Sequence, residues 1–167
     1  MAGHGVEESR MSIEDTPNLE PHYRALEAMY LAAPTNEYYN PDVKIWGEGA
    51  EISIQVDPKF FHSAGALHGS VYFKLLDDAA YFAANSVELE YFVLTADFRI
   101  DLLRPCVGGR ITATGSIIRA GRQDILAESS LYDEQGKLLA TGRGRFARGR
   151  TPLKSVESYA TTFAKSN

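Results

Sequence analysis

Residues 67–86 form a run in which nearly every position is apolar or small, yet it carries two neighbouring carboxylates, Asp77 and Asp78. A carboxylate kept from water can attack a carbonyl carbon, or take a proton from a water that does so. The same run begins His68-Gly69-Ser70, where a helix start exposes unpaired N–H groups and the positive end of its dipole. Such donors hold the oxyanion that forms when a carbonyl is attacked, and Gly69 has no side chain to keep a carbonyl oxygen away from them. The parts suit hydrolysis of an acyl compound, but not within one chain. Eight residues separate Gly69 from Asp77, which is roughly 12 Å of helix at 1.5 Å per residue. Adjacent helical positions point about 100° apart, so only one acid of the pair can face a site. Asp77 is the candidate, and Asp78 is expected to pair with a base or with a second chain.

The elements that must hold these residues follow from periodicity. Upstream, Leu26, Met29, Tyr30 and Ala33 recur at helical spacing between Pro21 and Pro34. After the turn signal Gly47-Glu48-Gly49, the residues Ala50, Ile52, Ile54 and Val56 alternate with polar ones, which predicts a half-buried strand. A loop over 59–66, with His62, Ser63 and Gly65, leads into the central helix. From 92 to 102 the even positions Phe92, Leu94, Ala96, Phe98, Ile100 and Leu102 are all apolar, and the odd ones include Thr95, Asp97, Arg99 and Asp101. This predicts a strand with its even side inward. Residues 110–119, 125–132 and 138–146 read as three more strands, the last two joined by the polar turn 133–137. Gly142 and Gly144 share a side with Ala140 and Phe146, where missing side chains mark a close approach to something bulky. Val156, Tyr159 and Phe163 behind a capping Ser155 predict a short C-terminal helix. The economical architecture is α+β: a curved antiparallel sheet, its last four strands a meander, wrapped around one long helix, with an extra helix at the N-terminus. That is the hotdog fold. It fills one domain over 19–150, preceded by a mobile segment 1–18 and followed by a tail 151–167.

Composition excludes several function classes. The net charge is -5 and the basic residues do not cluster before Arg143, unlike the footprint of a nucleic-acid binder. A single cysteine, Cys106, allows no intramolecular disulfide and fits a reducing compartment. No apolar run reaches the length of a membrane span, and the first residues lack the plan of a secretory signal. The expectation is a soluble, cytoplasmic protein without membrane or nucleic-acid partners.

The residues Leu67-His68-Gly69-Ser70, Leu76-Asp77 in the same helix, and Thr95 and Pro105 downstream resemble the phenylacetate-degradation-type hotdog acyl-CoA thioesterases, over roughly 43–148. The family's motif is His-Gly-Gly with an acid seven residues past the second glycine, a position that falls on Asp77. The resemblance implies hydrolysis of a coenzyme A thioester with no metal or further cofactor. It also implies that Gly69 of one subunit faces Asp77 of another across a two-fold interface, in a homodimer or homotetramer. Asp77 then serves as nucleophile or general base, and Gly69 and Ser70 offer backbone N–H groups. His68 takes part in the site or only caps the helix. The family carries an asparagine six residues before the motif histidine, where this chain has His62, which can also donate a hydrogen bond. Thr95 matches a hydroxyl that orients water, but strict alternation turns it away from Phe98 and Ile100. It therefore reaches the site only if the strand bulges or lies at the dimer edge. Arg119, Arg122, Arg143 and Arg145 stand where the family holds the phosphates of coenzyme A, although arginines on a sheet's outer face are mostly solvated. Phe60, Phe61, Tyr72, Phe73, Tyr81 and Phe82 line an acyl pocket or simply pack the core. Because the asparagine is missing, the alternative is a hotdog module that binds acyl-CoA or a fatty acid without hydrolysing it. A hydratase or dehydratase is a weaker third reading, since His68 lies too far along the helix to pair with Asp77.

Overall fold

The computed structural model describes residues 17–166, so the mobile segment expected over 1–18 lies almost wholly outside the described residues. The chain folds as α1 (Glu20–Leu31), α2 (Asn36–Tyr39), β1 (Asp42–Trp46), β2 (Gly49–Gln55), α3 (Gly69–Asn85), β3 (Tyr91–Leu102), β4 (Arg110–Ala120), β5 (Asp124–Asp133), β6 (Leu138–Pro152) and α4 (Glu157–Lys165). The architecture is α+β, with one six-stranded antiparallel sheet curved around α3.

Helix α3 starts where a cap allows it to. His68 has extended backbone angles and its side chain accepts the N–H of Ser70 at 3.1 Å, satisfying one of the helix's free donors. Val71, Tyr72, Leu75, Leu76, Ala79, Ala80, Phe82 and Ala83 are all buried, so the helix sinks into the sheet along most of its circumference. Two contacts fix its depth behind the acids. A Cβ on Gly115 of β4 would stand 2.1 Å from the Ala79 carbonyl oxygen, so only a glycine lets the strand lie against the helix there. Ser129 of β5, itself buried, donates its hydroxyl to the Leu76 carbonyl at 2.7 Å.

The strand order is β1-β2-β4-β5-β6-β3. The last four strands therefore do not form a meander in chain order. Short turns join β4 to β5 and β5 to β6, and β2 takes the other side of β4. The open side of β6 is then left for β3, which becomes a sheet edge. Strand β3 also breaks the expected alternation. Thr95 pairs with Phe146 and Asp97 with Arg145, which leaves Ala96 as the extra residue of a bulge. Before the bulge the odd side faces inward: Val93 is fully buried while Leu94 is 55% exposed. After it the even side does, with Phe98 and Ile100 packed on the core. Gly142 and Gly144 make room for Phe98, whose ring would lie 2.6 and 2.5 Å from a Cβ at those positions.

The C-terminal helix exists, but Ser155 does not cap it: its hydroxyl turns back to the Pro152 carbonyl, and Val156 takes the cap position without a side-chain bond. Helix α4 packs on α1 through the buried His22, which meets Tyr159 Oη at 2.7 Å and the Asn85 carbonyl at 3.0 Å. Burial pushes the His22 pKa down, so the ring is neutral, accepting from the phenol and donating to the carbonyl. The short α2 had no clear sequence signal, being four residues long. Among the described residues no helix is long and apolar enough to cross a membrane.

Candidate active site

The middle of α3 forms one wall of a cavity of about 550 Å³, closed by the end of α1 and α2, by β3, and by the start of α4. Asp77 and Asp78 both line it, and their surroundings separate them. Asp78 is neutralised on two sides, since Lys74 Nζ lies 2.6 Å from its Oδ2 and the Tyr30 hydroxyl donates to the same oxygen at 2.7 Å. It pairs with a base, as expected. Among the described residues Asp77 has no cation within salt-bridge distance. Its Oδ1 accepts the Thr95 hydroxyl at 3.0 Å, and the bulge at Ala96 is what turns Thr95 to the helix side of β3. Burial raises the Asp77 pKa from 3.8 to about 6; the Thr95 hydrogen bond and Lys74 pull it down in part, and the charge of Asp78 pushes it further up. The result is a carboxylate more basic than usual, beside a hydroxyl that can also hold a water.

The N-terminal end of α3 opens on a different cavity of about 290 Å³, lined by His62, Leu67, Gly69, Tyr72, Leu102, Leu103, Arg104 and Pro105. Among the described residues nothing crowds position 69 enough to require a glycine. A Cβ there would meet only Leu102 Cδ1, at an ordinary 3.5 Å. The Gly69 backbone borders this second cavity. His62 is exposed in the loop, and its Nδ1 accepts the Ala64 N–H at 3.1 Å. An acceptor Nδ1 carries no proton, so the neutral ring bears its hydrogen on Nε2 and presents a donor, as an asparagine amide would. His68 Nδ1 is occupied by the Ser70 N–H and by the Ser70 hydroxyl at 2.7 Å, which gives both residues a capping task.

The structure thus brings Asp77 to Thr95, and His62 to Gly69, but leaves the two pairs in separate cavities. Of the arginines expected to hold phosphates, Arg119, Arg122, Arg143 and Arg145, none lines either cavity. Arg119 and Arg145 both reach Asp124, at 3.3 and 3.7 Å, and Arg145 also pairs with Asp97 at 2.6 Å. Arg122 stands beside them in the β4–β5 turn, where its carbonyl accepts from Arg148. Arg143 lies apart, in a groove on the sheet's outer face with Arg99, Asp101 and Glu128. Of the aromatic residues, Tyr81 and Phe82 line the Asp77 cavity and Tyr72 the other, whereas Phe60 belongs to the core. Sequence reasoning missed Lys74 and Tyr30 as partners of Asp78. The i, i+4 spacing of Lys74 and Asp78 was the available signal; nothing local pointed to Tyr30.

Residues 64–140 match the Thioesterase superfamily. The chain is 32% identical over 95 residues to the 1,4-dihydroxy-2-naphthoyl-CoA hydrolase of Listeria monocytogenes, covering 56% of this chain and 77% of that one. It is 29% identical over 123 residues to the acyl-coenzyme A thioesterase PaaI of Escherichia coli, covering 72% of this chain and 86% of that one. The solved structure of the E. coli PaaI protein from the phenylacetic acid degradation operon superposes with a TM-score of 0.72 at 24% identity, over 79% of this chain and 96% of that one, and shares its fold.

Proposed function

We propose that this chain, which belongs to the hotdog-fold thioesterase superfamily, hydrolyses the thioester of an acyl- or aryl-coenzyme A at sites that two copies of the chain share. The observation that carries this reading is the division of α3: a basic, half-buried carboxylate in one cavity and the Gly69 N–H in another, whereas the Ser70 N–H, expected as a second donor, is taken by His68 Nδ1. Each cavity holds what the other lacks. In a two-fold dimer, the Gly69 end of one helix meets the Asp77 cavity of the partner, and edge strand β3, with Leu94 and Leu102 more than half exposed, offers the surface for it. The dimer, or a tetramer built from two, works as a soluble enzyme in a reducing, cytoplasmic compartment.

The steps follow from the groups. Coenzyme A's thioester carbonyl lies against the Gly69 N–H and the His62 Nε2–H, which polarise it. Asp77, ionised above pH 6, takes a proton from a water held by Thr95 as that water attacks the carbonyl carbon. The tetrahedral oxyanion gains from the donors and from the positive end of α3. It collapses with cleavage of the carbon–sulfur bond, and the proton on Asp77 leaves with the thiolate, giving free acid and coenzyme A. Direct attack by Asp77 through an acyl anhydride uses the same geometry. A single turnover in heavy-oxygen water separates the two, since only the anhydride route leaves label in the Asp77 carboxylate.

The test is a panel of aromatic, medium-chain and long-chain acyl-CoAs on the purified protein and on Asp77→Asn. Turnover of at least one member, lost by about 10²-fold or more in the folded variant, supports the reading. Binding of the panel without hydrolysis would leave the non-catalytic acyl-CoA module instead.

A further inference from the structure

The Asp77 cavity is built only in part by the segment that matches the thioesterase superfamily, residues 64–140. Two of its walls come from outside that segment: Met29 and Tyr30 of α1, and Val156 and Ser158 at the start of α4. Helix α4 reaches this place by a fixed route. After β6 the fully buried Leu153 donates its backbone N–H to the Glu90 carbonyl at 2.9 Å, which sets the chain beside the start of β3. Further on, Tyr159, 2% exposed, meets His22 of α1 at 2.7 Å and stacks on Phe163 with ring centroids 5.7 Å apart. The start of α4 is thus held on both sides, and it cannot swing away from the cavity without exposing Leu153 and Tyr159.

The cavity has a polar end and an apolar one. Toward the start of α3 stands Lys74, ion-paired to Asp78 at 2.6 Å, and a hydrocarbon laid on that pair would strip it of water with nothing in return. In the other direction, one turn beyond Asp77, the Tyr81 ring packs against Phe82 and Phe92, with centroids 4.8 and 5.6 Å away. Phe92 lies two residues past the Glu90 carbonyl that holds Leu153, so this apolar channel runs from Asp77 toward α4. There Val156 and Ser158, both half-buried, close it. At about 550 Å³ the cavity falls in the size range of pockets that enclose most of a small ligand, so a ligand that fills it meets this far wall. We propose that α4 is the end wall of the acyl pocket, with Val156 and Ser158 as the residues that limit the length of the acyl chain accepted. This specificity rests on the hydrolytic reading of the Asp77 cavity.

Straight-chain acyl-CoAs from butanoyl to hexadecanoyl test it. For the wild-type protein, kcat/KM should rise with chain length, pass a maximum and fall. Val156→Phe and Ser158→Phe, each filling the end of the channel, should move the maximum to shorter chains. They should also lower the ratio of kcat/KM at the wild-type optimum to that for butanoyl-CoA by about tenfold or more, because a single methylene misfitted in an apolar pocket already changes rates on that scale. Val156→Ala should shift the fall toward longer chains. Melting transitions check folding; if one filled variant does not fold the other decides, and if neither folds Val156→Ala decides by its shift. A wild-type profile without such a maximum overturns the wall. So does a folded filled variant whose ratio is unchanged, even if all chain lengths slow alike, because α4 then acts on packing alone. If no member is hydrolysed, the hydrolytic reading fails separately. The same ratio is then taken from Kd values measured by calorimetry on wild type and Val156→Phe, and an unchanged ratio, or no binding, overturns the wall.

Discussion

The two cavities along α3 differ in what makes them polar. At the helix start the groups proposed to act are the Gly69 N–H and a histidine on a loop, and specificity of residue type lies in what is missing, the side chain of Gly69. In the middle of the helix the useful group is a carboxylate, and its character is set by its neighbours. Asp77 and Asp78 are adjacent and share a cavity, yet Lys74 and Tyr30 take up Asp78, whereas among the described residues the hydrogen-bond partner of Asp77 is the neutral Thr95. A carboxylate partly withdrawn from water is costly to ionise, and here the cost is expressed as raised basicity. On the function proposed above Asp77 is the reactive acid and Asp78 the structural one, although both line the cavity that only one was expected to face.

The largest expected effect sharpens that contrast. Asp77→Asn should lower thioester turnover by about 10²-fold or more while the protein stays folded. Asp78→Asn should keep turnover within about fivefold but lose about 1–3 kcal/mol of stability, because the half-buried Lys74 ammonium loses its partner. Steady-state kinetics and thermal unfolding of the two variants read both quantities. The reverse pattern would exchange the roles of the two acids.

The next effect probes the other cavity. His62→Ala should lower kcat roughly tenfold by removing the Nε2–H donor, and His62→Asn should restore it to within about threefold, since an amide supplies the same hydrogen. If the asparagine variant is as slow as the alanine one, the donor role is wrong. A smaller, fourfold effect tests whether the two cavities belong to one site. Asp77→Asn and Gly69→Val are each expected to be inactive as homodimers. Unfolded and refolded together in equal amounts, half of the dimers are mixed, and each mixed dimer holds one intact pair of cavities, so activity should return to about a quarter of wild type. No recovery would mean that each chain builds its site alone.

Much of this was legible in the sequence because it depends on local pattern. The apolar run with its two acids, the motif around Gly69, and the hairpin turn at 133–137 all rest on neighbours close in the chain. What escaped depends on pairing between distant strands. The six apolar even positions of β3 predict an unbroken alternation, but opposite Phe146 and Arg145 the strand has one residue too many, and Ala96 is absorbed as a bulge. That single residue reverses the faces, burying Val93 and exposing Leu94, and it is what delivers Thr95 to Asp77. The edge position of β3 has the same origin, since which strand completes the far side of β6 is settled by which sides of β4 are already taken. Tyr30, 48 residues from Asp78, was invisible for the same reason.

The subtlest predictions concern the proton on Asp77. Its folded pKa, about 6, lies above the 3.8 of an unperturbed carboxyl, so the folded state binds this proton more tightly than the unfolded chain does. Stability from this group is present below pH 3.8 and is lost as pH rises through 6. Replacing it by a neutral amide should thus stabilise the protein at pH 8, by about 1–2 kcal/mol after allowing for solvent, and by little at pH 4. For catalysis the sign is opposite, because the ionised form is the base: kcat/KM should rise with pH through about 6 and level off. Thr95→Val removes the hydrogen bond that favours the ionised form, so the midpoint should move upward. A shift of about half a unit leaves the rate at pH 8 nearly untouched as far as ionisation is concerned and lowers it about two- to threefold near pH 6. If Thr95 instead only holds the water, the variant is slower by the same factor at every pH and the midpoint stays where it was.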